Sequence, residues 1–91
     1  MSDKVSASHI LVPTLNEAVE VKNKLNEGTD FATLARKVSK CPSGQNGGAL
    51  GTFGRGQMVK PFEDATFALP VGTTSEPVQT QFGYHIIHRS A

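Results

Sequence analysis

Two histidines stand at the start of apolar stretches near opposite ends of the chain. His9 precedes the residues ILV, and His85 precedes II. A neutral imidazole donates a hydrogen bond through one ring nitrogen and accepts one through the other, so two rings can join one hydrogen-bonded chain. If the first and last strands pair, these rings can meet, and the hydroxyl of Thr80 can fix a tautomer. A structural role for each ring is the alternative, and we interpret His88, on the opposite face of its strand, as solvated.

Cys41 is the single cysteine of the chain and lies between a helical stretch and a glycine-rich loop. Beside a histidine pair a thiol can act as a nucleophile, a metal ligand or a polar wall, whereas elsewhere it is usually an inert small hydrophobic group. No close-spaced ligand pair such as C-x-x-C accompanies it, so we expect no metal and no cofactor. A thiol hydrolase is a further alternative, although no oxyanion-binding element is apparent.

Four apolar residues border the segments that carry these polar groups. The loop GGALGTFGRGQ matches neither phosphate-binding glycine pattern, so its glycines indicate backbone flexibility or close approach. Met58 follows it in the polar, turn-like stretch RGQMVKP, where a core residue is not expected. A pocket lined by methionine and phenylalanine with few polar groups suits a compact apolar group. The predicted lining residues are Leu50, Met58, Phe62 and Phe82.

The hydrophobic periodicity and the turn residues predict the element order β-α-α-loop-β-α-β-β. A strand covers KVSASHILVP, the capping box TLNE opens a helix at Thr14, and a second helix starts at Thr29 or Asp30. After the loop come a short strand in ALGTF, a helix in KPFEDATFAL with Pro61 in its first position, and strands in TSEPVQT and GYHIIHR. Pro77 predicts an edge or a bulge in the third strand. This order indicates helices around a mostly antiparallel sheet.

Length and charge limit the class of protein. The 91 residues suffice for one small domain, which we expect to cover 1–91. A net charge of +1 gives no strong field for nucleic acid. No apolar run approaches the roughly 20 residues of a membrane span, so we expect no membrane insertion. The start MSDKVSASH lacks the apolar region of a secretory signal and the single cysteine suits a reducing compartment, so we expect a cytoplasmic monomer.

The chain resembles the parvulin family of peptidyl-prolyl cis/trans isomerases over essentially its whole length, and three stretches carry the resemblance. They are SHILV, CPSGQNGGALGTFGRGQMVKPFEDATFAL and EPVQTQFGYHII. The likeness is greatest to the minimal single-domain parvulins of prokaryotes. It implies the α+β parvulin (FKBP-like) fold, β-α-α-α-β-α-β-β around a four-stranded antiparallel sheet. The order predicted from the residues alone lacks one short helix, which the resemblance places just after Cys41.

The resemblance also implies catalytic roles. Parvulins carry two histidines on the first and last strands, and His9 and His85 match them. A threonine beside the histidines is matched by Thr80. Cys41 matches the position that faces the substrate peptide bond, which is Cys or Asp in the family. The Asp variants favour an electrostatic role over covalent attack.

The proline pocket of the family is built from Leu, Met and Phe, and Leu50, Met58 and Phe62 match it. Phe82 stands where some parvulins have a serine. The implied partners are proline-containing peptides and unfolded protein chains, on which the protein would act as a folding helper. The alternative is a binding-only, chaperone-like module that recognises proline-containing segments without catalysis.

One departure concerns phosphate. Phosphate-directed parvulins carry a basic loop after the first strand, whereas the connection VPTLNEA is short and has no lysine or arginine. We therefore expect isomerisation of X-Pro bonds without phosphate specificity.

Overall fold

A four-stranded antiparallel sheet forms the centre of the computed structural model, which describes residues 4–91. Three α-helices and one 3₁₀ helix surround it. The first three residues of the predicted domain lie outside the described residues. The strands are β1 (Lys4–Val12), β2 (Ala49–Gly54), β3 (Val78–Thr80) and β4 (Gly83–Arg89). The helices are α1 (Leu15–Asn26), α2 (Phe31–Val38), the 3₁₀ helix (Pro42–Asn46) and α3 (Lys60–Ala68). The predicted order is confirmed, and the short helix implied after Cys41 is the 3₁₀ helix.

The first and last strands pair at the middle of the sheet, whose spatial order is β2-β1-β4-β3. In their register Leu11 lies opposite His85 and His9 lies opposite Ile87. Alternate residues of a strand point to opposite faces, so His9 and His85 are diagonal neighbours on one face. The predicted meeting of the two strands is therefore confirmed, with a diagonal rather than a directly opposed pair.

Each face of the sheet buries its own apolar cluster, as the alternation of β1 and β4 requires. Helices α1 and α2 cover one face over Ile10, Val12 and Ile86, together with residues of the helices themselves. The other face carries Val5, Ala7 and Ile87, which pack with residues of β2 and α3. The histidines belong to this second face, so α3 covers them.

Side-chain caps begin the first two helices where the sequence predicts them. The hydroxyl of Thr14 accepts a hydrogen bond from the amide of Glu17 at 3.2 Å. The carboxylate of Asp30 accepts from the amide and the hydroxyl of Thr33, both at 3.0 Å. These hydrogen bonds, the amide's first, lower the pKa of Asp30 below its ordinary value. No helix within residues 4–91 is both long enough and apolar enough to cross a bilayer.

Two element boundaries differ from the sequence prediction. The third strand is confined to Val78–Thr80, although Thr74 forms an isolated bridge with His88. Pro77 has no amide hydrogen to donate, and the edge strand starts directly after it, so the predicted edge position is confirmed. Helix α3 starts at Lys60, one residue before Pro61, which lies in its first turn.

A glycine fixes the backbone beside His9. Gly48 has φ +83°, and its carbonyl accepts the amide hydrogen of His9 at 2.9 Å. A Cβ atom added there would lie within van der Waals overlap of the His9 carbonyl oxygen. Both the left-handed conformation and the close approach therefore require glycine at this position.

We predict that Gly48→Ala lowers the free energy of unfolding by more than about 2 kcal/mol, because left-handed strain and steric overlap add. Gly56→Ala is the matched control. Gly56 has φ +87° with nothing within 4 Å of an added Cβ, so only about 1–2 kcal/mol of strain is expected. Urea denaturation of both variants measures the difference. Equal losses would show that the approach to His9 does not constrain the fold.

Candidate active site

The imidazoles of His9 and His85 are joined by a hydrogen bond between their Nδ1 atoms at 2.9 Å. The rings lie nearly parallel, with centroids 5.1 Å apart and an interplanar angle of 15°. Phe62 presents its ring at a steep angle to both, with centroids 5.4 Å from His9 and 5.1 Å from His85. Both histidines are buried, so this aromatic layer excludes water from the pair.

Each outer ring nitrogen has a hydroxyl partner. His85 Nε2 lies 2.7 Å from Thr80 Oγ1, which accepts the amide hydrogen of Phe82 at 3.1 Å. His9 Nε2 lies 3.2 Å from Ser43 Oγ, and the Ser43 hydroxyl donates to Cys41 Sγ at 3.2 Å. The hydrogen bonds predicted between the two histidines and between Thr80 and a histidine are therefore present in the structure.

The end at Ser43 gives this chain of hydrogen bonds a direction. With the Ser43 hydroxyl donating to sulfur, its oxygen accepts from His9 Nε2–H. His9 Nδ1 is then the acceptor for His85 Nδ1–H, which leaves His85 Nε2 to accept from the Thr80 hydroxyl. Every hydroxyl and ring hydrogen in the chain is used in this arrangement. The result is a connected, neutral network that ends with a donor on the sulfur of Cys41.

The segment that carries Cys41 is tied to the end of β1. The amide of Lys40 donates to the carbonyl of Leu11 at 2.8 Å. The hydroxyl of Ser39 accepts from the amides of Leu11 and Cys41 at 3.1 and 3.4 Å. These bonds tie the segment to β1 and hold the half-buried thiol close to the histidines.

An open, mainly apolar cavity of about 520 Å³ lies over the histidines. It brings together seven of the eight residues predicted from the sequence, and the eighth, Thr80, lies behind His85. Phe62 is buried, Leu50 and Met58 are half-buried, and Phe82 stands at the rim, 60% exposed. The cavity is lined by His9, Leu11, Lys40, Cys41, Pro42, Leu50, Gln57, Met58, Val59, Phe62, Phe82 and His85.

A bulge in β2 positions Leu50. The pairing of β1 with β2 passes from Gly51, opposite Ala7, to Ala49, opposite Ser8, so Leu50 is the extra residue. Gly51 adopts φ +73°, as one residue of such a bulge often does. Because a bulge re-aims a side chain, Leu50 can line the cavity beside His9 rather than follow the alternation of the strand.

A buried carboxylate holds the turn that presents Met58. Glu63 is 5% exposed, accepts from the amide of Gly56 and pairs with Arg55 at 3.3 Å. Arg55 also lies over the ring of Phe67, 4.2 Å from its centroid. The side chain of Gln57 accepts from the amide of Gly54 at 3.1 Å. These contacts order the connection from β2 to α3, which places Met58 at the cavity wall.

Comparison with known proteins places this architecture in a family. Residues 9–91 match the family described as Rotamase: PPIC-type PPIASE domain. The foldase protein PrsA of Geobacillus sp. (strain WCH70) is 56% identical over 85 residues, 92% of this chain and 31% of the foldase. The peptidyl-prolyl cis-trans isomerase Pin1 of Arabidopsis thaliana is 48% identical over 87 residues, 90% of this chain and 73% of that protein. This chain belongs to the parvulin family.

The fold of solved parvulins is the same. The solution structure of NmPin, the parvuline of Nitrosopumilus maritimus, superposes with a TM-score of 0.89 at 48% identity, covering 100% of this chain and 99% of NmPin. The predicted α+β parvulin fold and the predicted membership of the parvulin family are therefore confirmed. This parvulin spans about a third of the length of the curated foldases that it matches.

Sequence reasoning missed several residues of this parvulin's candidate site. Ser43, which links His9 to Cys41, carries no periodic signal, and only its place two residues after the cysteine could have suggested it. Leu11 and Lys40 line the cavity together because a backbone hydrogen bond joins their segments. The prediction of a solvated His88 was wrong. That ring is half-buried, lies 5.9 Å from Phe31 and bonds through Nδ1 to Thr74 Oγ1 at 2.9 Å.

The side chains around the cavity include candidate ligands for a metal ion. Within residues 4–91, no three His, Cys, Asp or Glu side chains are grouped so that they could hold a metal ion. His9 and His85 are instead hydrogen-bonded to each other, and Ser43 links His9 to Cys41.

Burial keeps both site histidines neutral. It lowers the pKa of His9 from 6.5 to about 4, with a further lowering by the neighbouring charge of His85, and lowers the pKa of His85 to about 4. A proton on His9 would also remove the acceptor of the Nδ1–Nδ1 hydrogen bond, and a proton on His85 would remove the acceptor of the hydrogen bond from Thr80, since an imidazolium has no acceptor nitrogen. At neutral pH the network is therefore uncharged.

We predict that unfolding takes up about two protons from this pair near pH 5.5, because the unfolded rings are protonated below 6.5 while the folded rings stay neutral down to about 4. The corresponding stability is fully present above pH 6.5 and is lost as the pH falls through 4. The slope of the unfolding free energy with pH gives the proton uptake. Ring proton signals of His9 and His85 that titrate near 6.5 in the folded protein would contradict this.

Proposed function

We propose that this parvulin accelerates cis/trans rotation about X-Pro peptide bonds in unfolded or flexible chains, without requiring a phosphate. The observation that carries the proposal is the juxtaposition of two parts of one cavity. Leu50, Met58 and Phe62 form an apolar wall, and the network that ends on Cys41 forms a polar one. A proline ring suits the first wall, and the preceding carbonyl group suits the second.

The reaction has a physical difficulty that this cavity addresses. Resonance in the C–N bond sets a rotation barrier of about 20 kcal/mol, and unaided isomerisation takes tens of seconds or longer. The planar amide is polar and well solvated by water, whereas the twisted amide has lost much of that charge separation. Transfer to an apolar cavity therefore costs the planar amide more than the twisted one. That difference lowers the barrier by differential binding of the transition state.

The cavity can hold the proline ring fixed and leave the preceding carbonyl group free to rotate. Met58, Phe62 and Phe82 hold the proline ring while the preceding carbonyl group turns. Phe82, exposed at the rim, can close over the ring when a substrate is bound. Leu50 closes the wall opposite, where the bulge in β2 places it. The fixed ring and the free carbonyl confine the motion to one torsion.

Cys41 acts electrostatically in this proposal. Its electron-rich sulfur lies at the polar wall, where it disfavours the partial negative charge on the carbonyl oxygen of the planar amide. The histidines orient the site and transfer no proton, because their ring nitrogens are occupied by neighbouring partners and their pKa values are lowered to about 4. Thr80 fixes the tautomer of His85.

The remaining proposals concern substrates and setting. Only Pro13 and Thr14 separate β1 from α1, so no basic loop is present there for a phosphate. We propose that residues 1–91 act as one catalytic unit and as a monomer on proline-containing peptides and unfolded chains, in support of folding. The foldase names of the relatives favour such clients. A cytoplasmic setting is proposed because Cys41 is a free thiol within the site.

The test is NMR exchange spectroscopy on unphosphorylated X-Pro peptides with the purified protein. We predict exchange cross-peaks between cis and trans peptide signals at catalytic protein concentrations, because unaided exchange is too slow to produce them. Peptide-induced shifts at Met58 and Phe62 without accelerated exchange would contradict catalysis. That result would support the binding-only alternative.

Substitution of Cys41 separates the electrostatic from the covalent mechanism. We predict that Cys41→Ser and Cys41→Asp keep kcat/KM within about tenfold of the parent, because each retains an electron-rich atom at the polar wall. Removal of a covalent nucleophile costs several orders of magnitude instead. The same exchange measurement gives both values, and far-UV circular dichroism with urea unfolding checks that each variant folds. A loss of a thousandfold or more in a folded Cys41→Ser would contradict the electrostatic role.

A further inference from the structure

We propose that Lys40 gives this parvulin a preference for an acidic residue directly before the proline. The proposal rests on the proposed isomerase function and adds the class of residue X to it. Of the residues lining the cavity, Lys40 is the one that carries a formal charge at neutral pH, since His9 and His85 are neutral there.

The direction of a bound peptide places residue X near Lys40. The proline ring occupies the wall made by Met58 and Phe62, and the X-Pro carbonyl group faces Cys41. Residue X precedes that carbonyl, so it lies beyond Cys41 as seen from the ring. We infer that its side chain approaches Lys40, which neighbours Cys41 in the chain and lines the same cavity. Its backbone is fixed by the hydrogen bond from its amide to the carbonyl of Leu11 at 2.8 Å.

The ammonium group of Lys40 is available for a ligand. Its residue is exposed, and within residues 4–91 it forms no ion pair with a carboxylate. Lys40 also borders a smaller neighbouring cavity of about 260 Å³, whose other charged residues are two glutamates and two lysines. Those charges, Glu17, Glu20, Lys24 and Lys37, balance one another. The uncompensated charge at the junction of the two cavities is that of Lys40.

The expected preference is graded, because a single ammonium lacks the rigid, bidentate geometry of an arginine fork. An exposed pair between lysine and carboxylate changes binding by about two- to fivefold. A Glu-Pro peptide should therefore exceed the isosteric Gln-Pro peptide in kcat/KM by about two- to fivefold at low salt. The ratio should fall towards one at about 0.5 M salt, where the Debye length is shorter than 5 Å.

The experiment measures kcat/KM by exchange spectroscopy for matched Glu-Pro, Gln-Pro and phosphoserine-Pro peptides with three proteins. These are the parent chain, Lys40→Gln and the control Lys4→Gln. Lys4 is exposed at the opposite end of β1, so its substitution removes the same charge far from the cavity. We expect the Glu/Gln ratio to fall to about one in Lys40→Gln and to be unchanged in Lys4→Gln.

The possible results separate this proposal from the function on which it rests. Acceleration of all peptides with equal rates for Glu-Pro and Gln-Pro would overturn the role of Lys40 alone. The same loss of ratio in both variants would also overturn it, since net charge would then be responsible. A preference for phosphoserine over glutamate of a hundredfold or more would show a dedicated phosphate site instead. No acceleration of any peptide would overturn the isomerase function and this proposal together.

Discussion

The hydrogen bond between the two Nδ1 atoms of His9 and His85 is the contact on which the rest of the site depends. It joins residues 76 positions apart in the chain, and it can form only if β1 and β4 are adjacent and in the observed register. It also requires that one ring donates and the other accepts, so the accepting ring must be neutral. A single contact thus couples topology, register and protonation state.

The same contact explains why so polar a group lies under an apolar cavity. Buried polar atoms are costly unless they are paired, and here each of the four ring nitrogens has a partner. The satisfied network can therefore be covered by Phe62 without a desolvation penalty from unpaired atoms. The cavity above it stays apolar, and an amide that enters loses its water. In this account the histidines contribute rigidity and a fixed direction of hydrogen bonding, and the desolvated cavity contributes the rate.

The sequence was informative where a local pattern carries the structure. Alternation in the two terminal strands was enough to place His9 and His85 on inward faces, and the apolar Met58 in a polar stretch revealed a cavity wall. The cap at Thr14 followed from residue types alone, whereas for the second helix they left the start open between Thr29 and Asp30, the residue that caps it. These features depend on period and on local chemistry, which a single sequence displays.

The remaining features depend on contacts between distant segments. Ser43 meets His9 only because the 3₁₀ helix folds back after Cys41, and Leu50 turns into the cavity only because β2 bulges against β1. Glu63 looked like a helix-start acid, but it is buried and holds the preceding turn. His88 looked exposed by alternation, yet the segment around Thr74 and the ring of Phe31 cover it. No periodic pattern in the sequence predicts such contacts between distant segments.

The most direct test of the directional, neutral network is the ¹⁵N chemical shift of each imidazole nitrogen in the folded protein at pH 7. The account predicts that His9 is protonated at Nε2 and unprotonated at Nδ1, and that His85 is protonated at Nδ1 and unprotonated at Nε2. Two neutral rings with these opposite tautomers would support a chain that runs from Thr80 to the sulfur of Cys41. A protonated imidazolium at either position, or the reverse pair of tautomers, would contradict it.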